Sequence, residues 1–339
     1  MRQLLVFLII AILLAAGCIH NTVEKPLDPN DDEDGDGLSN EWEEEHGLDP
    51  YNGSDAPKCM GKVEYCLRTY DNFTFAETHN SFATTADGVY YPASNHDTGL
   101  STQWNGGIRA FMLDTHHRSN SETEAEDVSF CHGENGGIIH PCSYSEVNAY
   151  AWLEELRTFM DQNPTQIVTI LLENYVPSEH LEILFNETGL LEKTYVHNIS
   201  EPWPTLGEMI ITNKTLVVFW DDNDEPEHPW LHHAWTHSWD TPYGESNEDE
   251  MTCNVGRGDG SQPVWHLNNW LSNSLGLSDP QRSDEVNDYD KLLQRTIECW
   301  EEVGNRPTFV AVDWWEDGDV VGVVDTINEL ESWNSTSTS

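Results

Sequence analysis

Gly107-Ile108-Arg109-Ala110-Phe111-Met112-Leu113-Asp114 is a short apolar run that opens on glycine and stops at a carboxylate. Read outward from it, the chain repeats the pattern. Candidate strands fall at 73–78, 108–113, 128–131, 167–172, 216–219, 264–267 and 309–312. Nearly all of them end at a polar or ionisable residue: His79 and Asn80, Asp114, His132, Glu173, Asp221, Asn268 and Asp313. Helical periodicity separates them. It is clearest over 146–162, where Val147, Tyr150, Ala151, Leu153, Leu156 and Met160 can share a face, and again over 292–303. Strands alternating with helices imply parallel pairing through crossovers. In a barrel of eight parallel strands the C-terminal strand ends converge on one face, where the active site is built. The expected fold is therefore α/β, a TIM-type (β/α)8 barrel with some irregularity, because seven strands can be read and an eighth cannot.

The 339 residues contain 61 Asp and Glu against 15 Lys and Arg, a formal charge of −46. Phosphate contacts to DNA or RNA are built from basic side chains that displace counterions, so a nucleic-acid partner is excluded. No obligate protein partner is implied either. Self-repulsion destabilises so acidic a fold in dilute buffer, and molar salt screens it within about 3 Å. The chain reads as salt-adapted. It is not thereby disordered, since 37% of residues are hydrophobic, with 14 Trp, 11 Tyr and 10 Phe to fill a large core.

Met1-Arg2-Gln3 precedes an apolar run over 4–16 that is too short to span a bilayer, so residues 1–17 read as a signal peptide. Ala15-Ala16-Gly17-Cys18 is similar to a lipobox, in which Cys18 takes a lipid and becomes the new N-terminus. The expected location is outside the cell, as a surface lipoprotein held to the membrane through Cys18, or as a secreted protein. Six further cysteines form an even set that suits an oxidising compartment. Proximity suggests the pairs 59–66, 131–142 and 253–299; zinc is the rival use, but no Cys-x-x-Cys occurs. Sequons begin at Asn52, Asn72, Asn186, Asn198, Asn213 and Asn334.

Residues 19–57 form an acidic stalk, with eleven acidic and no basic residues between Asp28 and Asp49. Within it, 32–43 has the spacing of a twelve-residue calcium loop. Asp32, Asp34 and Asp36 stand at positions 1, 3 and 5, Gly37 at the sharp turn, Leu38 offers its carbonyl, Asn40 falls at position 9, and Glu43 closes at 12. The stretch also resembles the calcium repeats of thrombospondin type 3. The alternative is a solvated acidic linker. The main domain is expected over 58–333, followed by a Ser/Thr tail at 334–339. It is acidic in its own right, keeping 13 basic and 48 acidic residues from Lys58 onward.

Histidines, an amide and carboxylates at successive strand ends suggest metal-assisted chemistry on a phosphate ester. Thr78-His79-Asn80-Ser81-Phe82, the Gly107 to Asp114 run, Cys131-His132-Gly133 and Leu172-Glu173-Asn174-Tyr175 together resemble the X-domain of phosphatidylinositol-specific phospholipases C. The likeness is strongest to the secreted PLC-like phosphodiesterases, a TIM-barrel group, and covers roughly residues 70 to 328. The stretches from Asn163 to Ile170, Leu216 to Phe219 and Arg306 to Asp313 agree with it.

The resemblance implies that an inositol 2-hydroxyl attacks phosphorus, the glycerol oxygen leaves, and a cyclic phosphodiester forms. It makes His79 and His132 catalytic. His79 would donate to the phosphoryl oxygen or take the nucleophile's proton, and His132 would protonate the leaving oxygen, both within reach of an imidazole near neutrality. Asn80, Asp114 and Glu173 match the calcium ligands of the metal-dependent members, so Ca2+ is the implied cofactor and a phospholipid or related phosphodiester the implied partner. Metal-independent bacterial members have arginine where this chain has Asp114. One departure stands out. Where the calcium-dependent enzymes carry a Glu ligand, this chain has Met112, whose thioether neither binds calcium nor accepts a proton, so the base falls to His79, Glu173 or Asp313.

Arg109 reads as a buried structural partner, and Asp313 as either a group that orients a histidine or a turn cap. His228, His232, His233 and His237 have spacings that suit a transition metal on a helix, or a loop with Trp230, Trp235 and Trp239 over the barrel mouth. Two rivals to the inositol-lipid enzyme remain: a phosphodiesterase on soluble glycerophosphodiesters or another head group, and a calcium-stabilised binding protein on a PLC-like scaffold.

Overall fold

The computed structural model describes residues 27–118, 127–133, 140–222 and 227–330. The leader with Cys18 and the tail at 334–339 lie outside them. The chain divides into two compact units, Met1–Ala56 and Pro57–Ser339. Among the described residues no helix is long and apolar enough to cross a membrane.

In the first unit an acidic loop leads into helix α1 (Asn40–His46). Ser39 caps it by accepting from the Trp42 amide, and Gly47 ends it at φ 76°, a left-handed turn that glycine adopts without a Cβ clash.

The second unit contains strands β1 (Phe75–Thr78), β2 (Ala110–His117), β3 (Val128–Phe130), β4 (Val147–Asn148), β5 (Val168–Asn174), β6 (Leu216–Asp221), β7 (Leu231–His233), β8 (Ser238–Asp240), β9 (Arg257–Gly258), β10 (Val264–Asn269) and β11 (Phe309–Val312). Eight of these pair in parallel in the order β7-β6-β5-β2-β1-β11-β10-β8. That order is the chain order of a (β/α)8 barrel, with the last strand, β11, paired to the first. The wall is unzipped at one place: β7 and β8 are consecutive around the barrel but share no ladder.

Two strand assignments from sequence change. The run at 128–131 is no wall strand, because β3 pairs antiparallel with the extended end of β2 and forms a flap with β4. The wall strands not read from sequence are β7 and β8, three residues each, within the histidine and tryptophan stretch taken for a metal cluster or rim loop.

Alternation along the strands sorts the core. Ala76, Phe111, Leu113, Ile170, Leu172, Val218, Val310 and Val312 face outward into one cluster with Trp152 and Leu156 of helix α2 (Ala149–Gln162) and Val323 and Ile327 of helix α3 (Val320–Glu329). Inside the barrel, Phe75, Phe219 and Phe309 pack around a fully buried pair in which His266 Nδ1 lies 2.7 Å from Glu77 Oε2. The barrel is therefore filled at mid-height, and the space above it opens at the strand ends. Three disulfides, Cys59–Cys66, Cys131–Cys142 and Cys253–Cys299, pair the cysteines as proximity suggested.

Candidate active site

His79 follows the last residue of β1, and its amide donates to the Val312 carbonyl on β11 at 3.1 Å. This backbone bond sets His79 beside Asp313, and His79 Nδ1 lies 2.9 Å from Asp313 Oδ1. The ring lies flat on Trp270, with centroids 4.3 Å apart and 6° between planes. Asp313 is buried and also accepts from Asn95 Nδ2 at 2.9 Å. Burial alone would raise its carboxyl, but the charge of His79 and the hydrogen bond from it prevail and hold Asp313 below the usual carboxylate range. Asp313 thus orients a histidine. The following residue, Trp314, adopts φ 49°, an uncommon conformation for a bulky side chain, and Asn287 Nδ2 fastens the turn through the Asp313 carbonyl at 2.7 Å.

Asn80 also has positive φ, 48°, which asparagine tolerates better than most residues. Its Nδ2 reaches His132 Nε2 at 3.3 Å. His132 stands on the antiparallel flap and comes to the mouth because β3 folds back on β2, where the Cys131 amide donates to the Asp114 carbonyl at 3.1 Å. Its Nδ1–H donates to the Ala93 carbonyl at 3.0 Å. Burial depresses the His132 pKa below 6.5, against the opposing effect of that backbone bond. A neutral ring with Nε2 as acceptor from Asn80 fits this geometry.

Asp114, Glu173 and Asp221 occupy matched positions on the adjacent strands β2, β5 and β6. Asp114 is 4% exposed, and its carboxyl is pushed well above the ordinary range, first by burial and then by the charge of Glu173, despite the Gly133 amide. Glu173 Oε1 accepts from the Tyr175 hydroxyl at 2.6 Å. Asn80, Met112, Asp114 and Glu173 line one cavity with His79 and Trp270. A buried and a half-buried carboxylate with an amide beside them make an all-oxygen donor set, and it fits a hard cation such as calcium.

Asp221 plays a different part. Arg257 spans the seam of the wall, with Nη1 3.1 Å from Asp221 Oδ2 on β6 and Nη2 2.7 Å from Asp240 Oδ2 on β8. Its guanidinium lies over the rings of Trp235 and Tyr243, at 4.1 and 4.5 Å. Sequence reasoning missed Arg257, Asn95, Trp270 and Tyr243. A signal was present for the first: Gly256-Arg257-Gly258 sets a scarce cation between glycines, and Gly258, at φ 90°, lies so close to Ser238 and Trp239 that a Cβ would collide with them.

The remaining readings resolve structurally. Arg109 Nη1 donates to the Trp104 and Ile108 carbonyls, at 2.7 Å each, away from the mouth. His232 is spent on backbone, its Nδ1 on the Val218 carbonyl and its Nε2 accepting from the His197 amide, both at 2.9 Å. His233 Nε2 likewise meets the Asp222 carbonyl at 3.0 Å. His232 and His233 lie on a strand and His237 on a single turn, so the histidines do not share one helix, and among the described residues they form no metal-ligand group.

In the stalk, Asp32, Asp34 and Asp36 bring carboxylate oxygens within 4.8 Å of one another. Glu43 is fully buried and Leu38 anchors the loop with a buried side chain. Asn40 is drawn elsewhere: its Oδ1 accepts from the Glu33 amide at 3.2 Å and its Nδ2 donates to the Asp28 carbonyl at 2.7 Å.

Comparison with known proteins gives the family and the fold. The family model described as PI-PLC X 1 matches residues 65–328. A PI-PLC X domain-containing protein of Arthroderma benhamiae is 26% identical over 291 residues, covering 80% of this chain and 90% of the relative. An uncharacterized secreted protein of the same fungus is 24% identical over 293 residues, and this chain spans only 62% of its length. Among solved structures, the phosphatidylinositol-specific phospholipase C of Staphylococcus aureus superposes with a TM-score of 0.54 at 14% identity, over 78% of this chain and 94% of that one, which establishes the fold. With most of its length matched by the family model and the strand-end residues gathered at one mouth, the chain belongs to the PI-PLC X family.

Proposed function

We propose that the chain is an exported phosphodiesterase of the phospholipase C type, cleaving an inositol phospholipid or a related phosphodiester. The observation that carries this is the pairing of His79 with Asp313 at 2.9 Å, at the same mouth as His132 and the Asp114–Glu173 carboxylates. With Nδ1–H committed to Asp313, His79 offers Nε2 as the base. It takes the proton of a substrate hydroxyl next to the phosphate, the hydroxyl oxygen bonds to phosphorus, and the bond to the leaving oxygen breaks. His132, held by Ala93 through Nδ1–H, acts in its protonated form, delivering the second proton from Nε2 to that oxygen and returning to the neutral ring. Buried Asp313 stabilises the imidazolium that forms on His79. Asn80, Asp114 and Glu173 are the residues that would hold calcium, which would supply positive charge to the phosphate in a mouth whose arginine is already paired.

The relative named as secreted supports export, and Cys18 would serve as the lipid anchor. In the stalk, the Asp32, Asp34, Asp36 and Glu43 carboxylates and the Leu38 carbonyl are the groups proposed for a second calcium. Met112, which lines the cavity in place of a ligand, favours the rival reading of a calcium-stabilised binding protein. Turnover of phosphatidylinositol at molar salt, with and without chelator, decides between them. Release of a cyclic inositol phosphate that chelation abolishes is expected. Calcium-independent turnover overturns the metal assignment, and no turnover on any phosphodiester overturns the enzyme.

A further inference from the structure

Position 9 of the calcium loop at 32–43 is weakened as a ligand, because Asn40 Oδ1 already accepts from the Glu33 amide while its Nδ2 donates to the Asp28 carbonyl. A carboxylate from outside the loop, Asp55, sets its charge against Asp36 and Glu43. Beyond α1, the turn through 49–55 folds back until the backbone of Gly53 lies on the loop; a Cβ on Gly53 would stand 3.0 Å from Asp36 Cβ and 3.3 Å from Asp34 Oδ1. The next acidic residue is Asp55. Its Oδ2 accepts from the Asp49 amide at 3.1 Å, which fixes the carboxylate and leaves Oδ1 buried with no hydrogen-bond partner.

Other oxygens share that condition. Asp34 Oδ2, Asp36 Oδ2 and both oxygens of Glu43 are buried and unpartnered, and Glu43 is 0% exposed. Buried unpartnered carboxylate oxygens are costly unless a cation faces them. Their grouping is electrostatically tense, because the charges of Asp34, Asp36, Asp55 and Asp32 all bear on Glu43. We propose that Asp55 is a direct ligand of the stalk calcium, in place of Asn40, so that one ion joins the loop at 32–36, Glu43 in the middle of α1 and the turn at 49–55.

This rests on the reading of 32–43 as a calcium loop and changes its consequence. A motif whose ligands all lie within twelve residues orders only itself, whereas Asp55 extends the ordered segment to the end of the unit. Calcium then makes the stalk a rigid spacer rather than an extended acidic linker.

The test is calorimetric titration of calcium into the full-length protein, with limited proteolysis of the 27–56 segment as a second readout. Asp34→Asn is expected to remove the stalk binding event altogether. Asp55→Asn weakens that event by about tenfold or more, since affinity follows ligand charge and number, and restores protease cutting near 49–55 at calcium levels that protect the wild type. Glu44→Gln, which removes an exposed charge from α1, leaves both readouts unchanged. Wild-type affinity and protection in Asp55→Asn overturns the proposal. An unchanged titration in Asp34→Asn overturns the calcium-loop reading beneath it.

Discussion

Asp313 Oδ1 holds His79 Nδ1 at 2.9 Å while Trp270 covers one face of the same ring, so the imidazole is fixed in both tautomer and plane. The carboxylate is 2% exposed and the histidine 23%, an arrangement in which the buried partner orients and the accessible one reacts.

Replacing Asp313 by Asn is expected to lower kcat by about 10²-fold or more, with little change in KM, because the amide permits the wrong tautomer. His79→Ala should cost at least as much, and the double variant little more than His79→Ala alone. Steady-state kinetics on an inositol phospholipid checks this. Full activity in Asp313→Asn would remove His79 as the base.

The depressed pKa of His132 makes a directional claim about pH. As the acid it must carry a proton on Nε2, and burial favours losing that proton below pH 6.5. The alkaline limb of kcat/KM, which reports the free enzyme, should therefore fall through a pKa under 6.5. His132→Asn should abolish the limb along with most of the rate. A limb above that value, surviving in the variant, assigns the acid elsewhere.

Arg257 joins β6 to β8 where the wall has no ladder between β7 and β8. Arg257→Gln removes the cation shared by Asp221 and buried Asp240, leaving them only neutral donors such as Trp235 and Asn268, and should destabilise the barrel by about 3 kcal/mol. Lysine should not restore it, since a single ammonium cannot bridge both carboxylates as the guanidinium does. Urea unfolding at molar salt measures both.

His197 and His232 give the barrel an acid limit. Burial holds the first at about 4 and the second at about 3, so both stay neutral in the fold. The unfolded chain binds protons on both from about pH 6.5, so stability is lost as pH falls from there toward the folded values. Tm should drop between pH 6.5 and 4, and His232→Gln, which keeps a donor and an acceptor, should shallow that drop. A pH-independent Tm over this window would count against neutral histidines.

Legibility from sequence followed the length of each element and the locality of each contact. β1, β2, β5 and β6 announce themselves as apolar runs ending in polar or ionisable residues, and His79, Asp114, Glu173 and Asp221 stand out that way. β7 and β8 are too short to show a period of two, so the polar character of His232, His233 and Asp240 hid them. The 128–131 run does form a strand, but its antiparallel partner is a matter of tertiary pairing that no local pattern records. Asp313 is legible as a group that orients a histidine or caps a turn, and only the backbone bond from His79 to Val312 on a distant strand decides for the histidine.

The matched positions of Asp114, Glu173 and Asp221 set the three carboxylates on one rung of the wall, about 4.8 Å apart from strand to strand. The ladder therefore works as a ruler. A slip of one residue along any of these strands would swap its carboxylate for Leu113, Leu172 or Trp220 and turn an acid into the outer core, a change too costly to be populated. Correct pairing and a competent rim are thus a single event in this molecule, so recovery of the rim's chemistry on refolding would report strand alignment residue by residue.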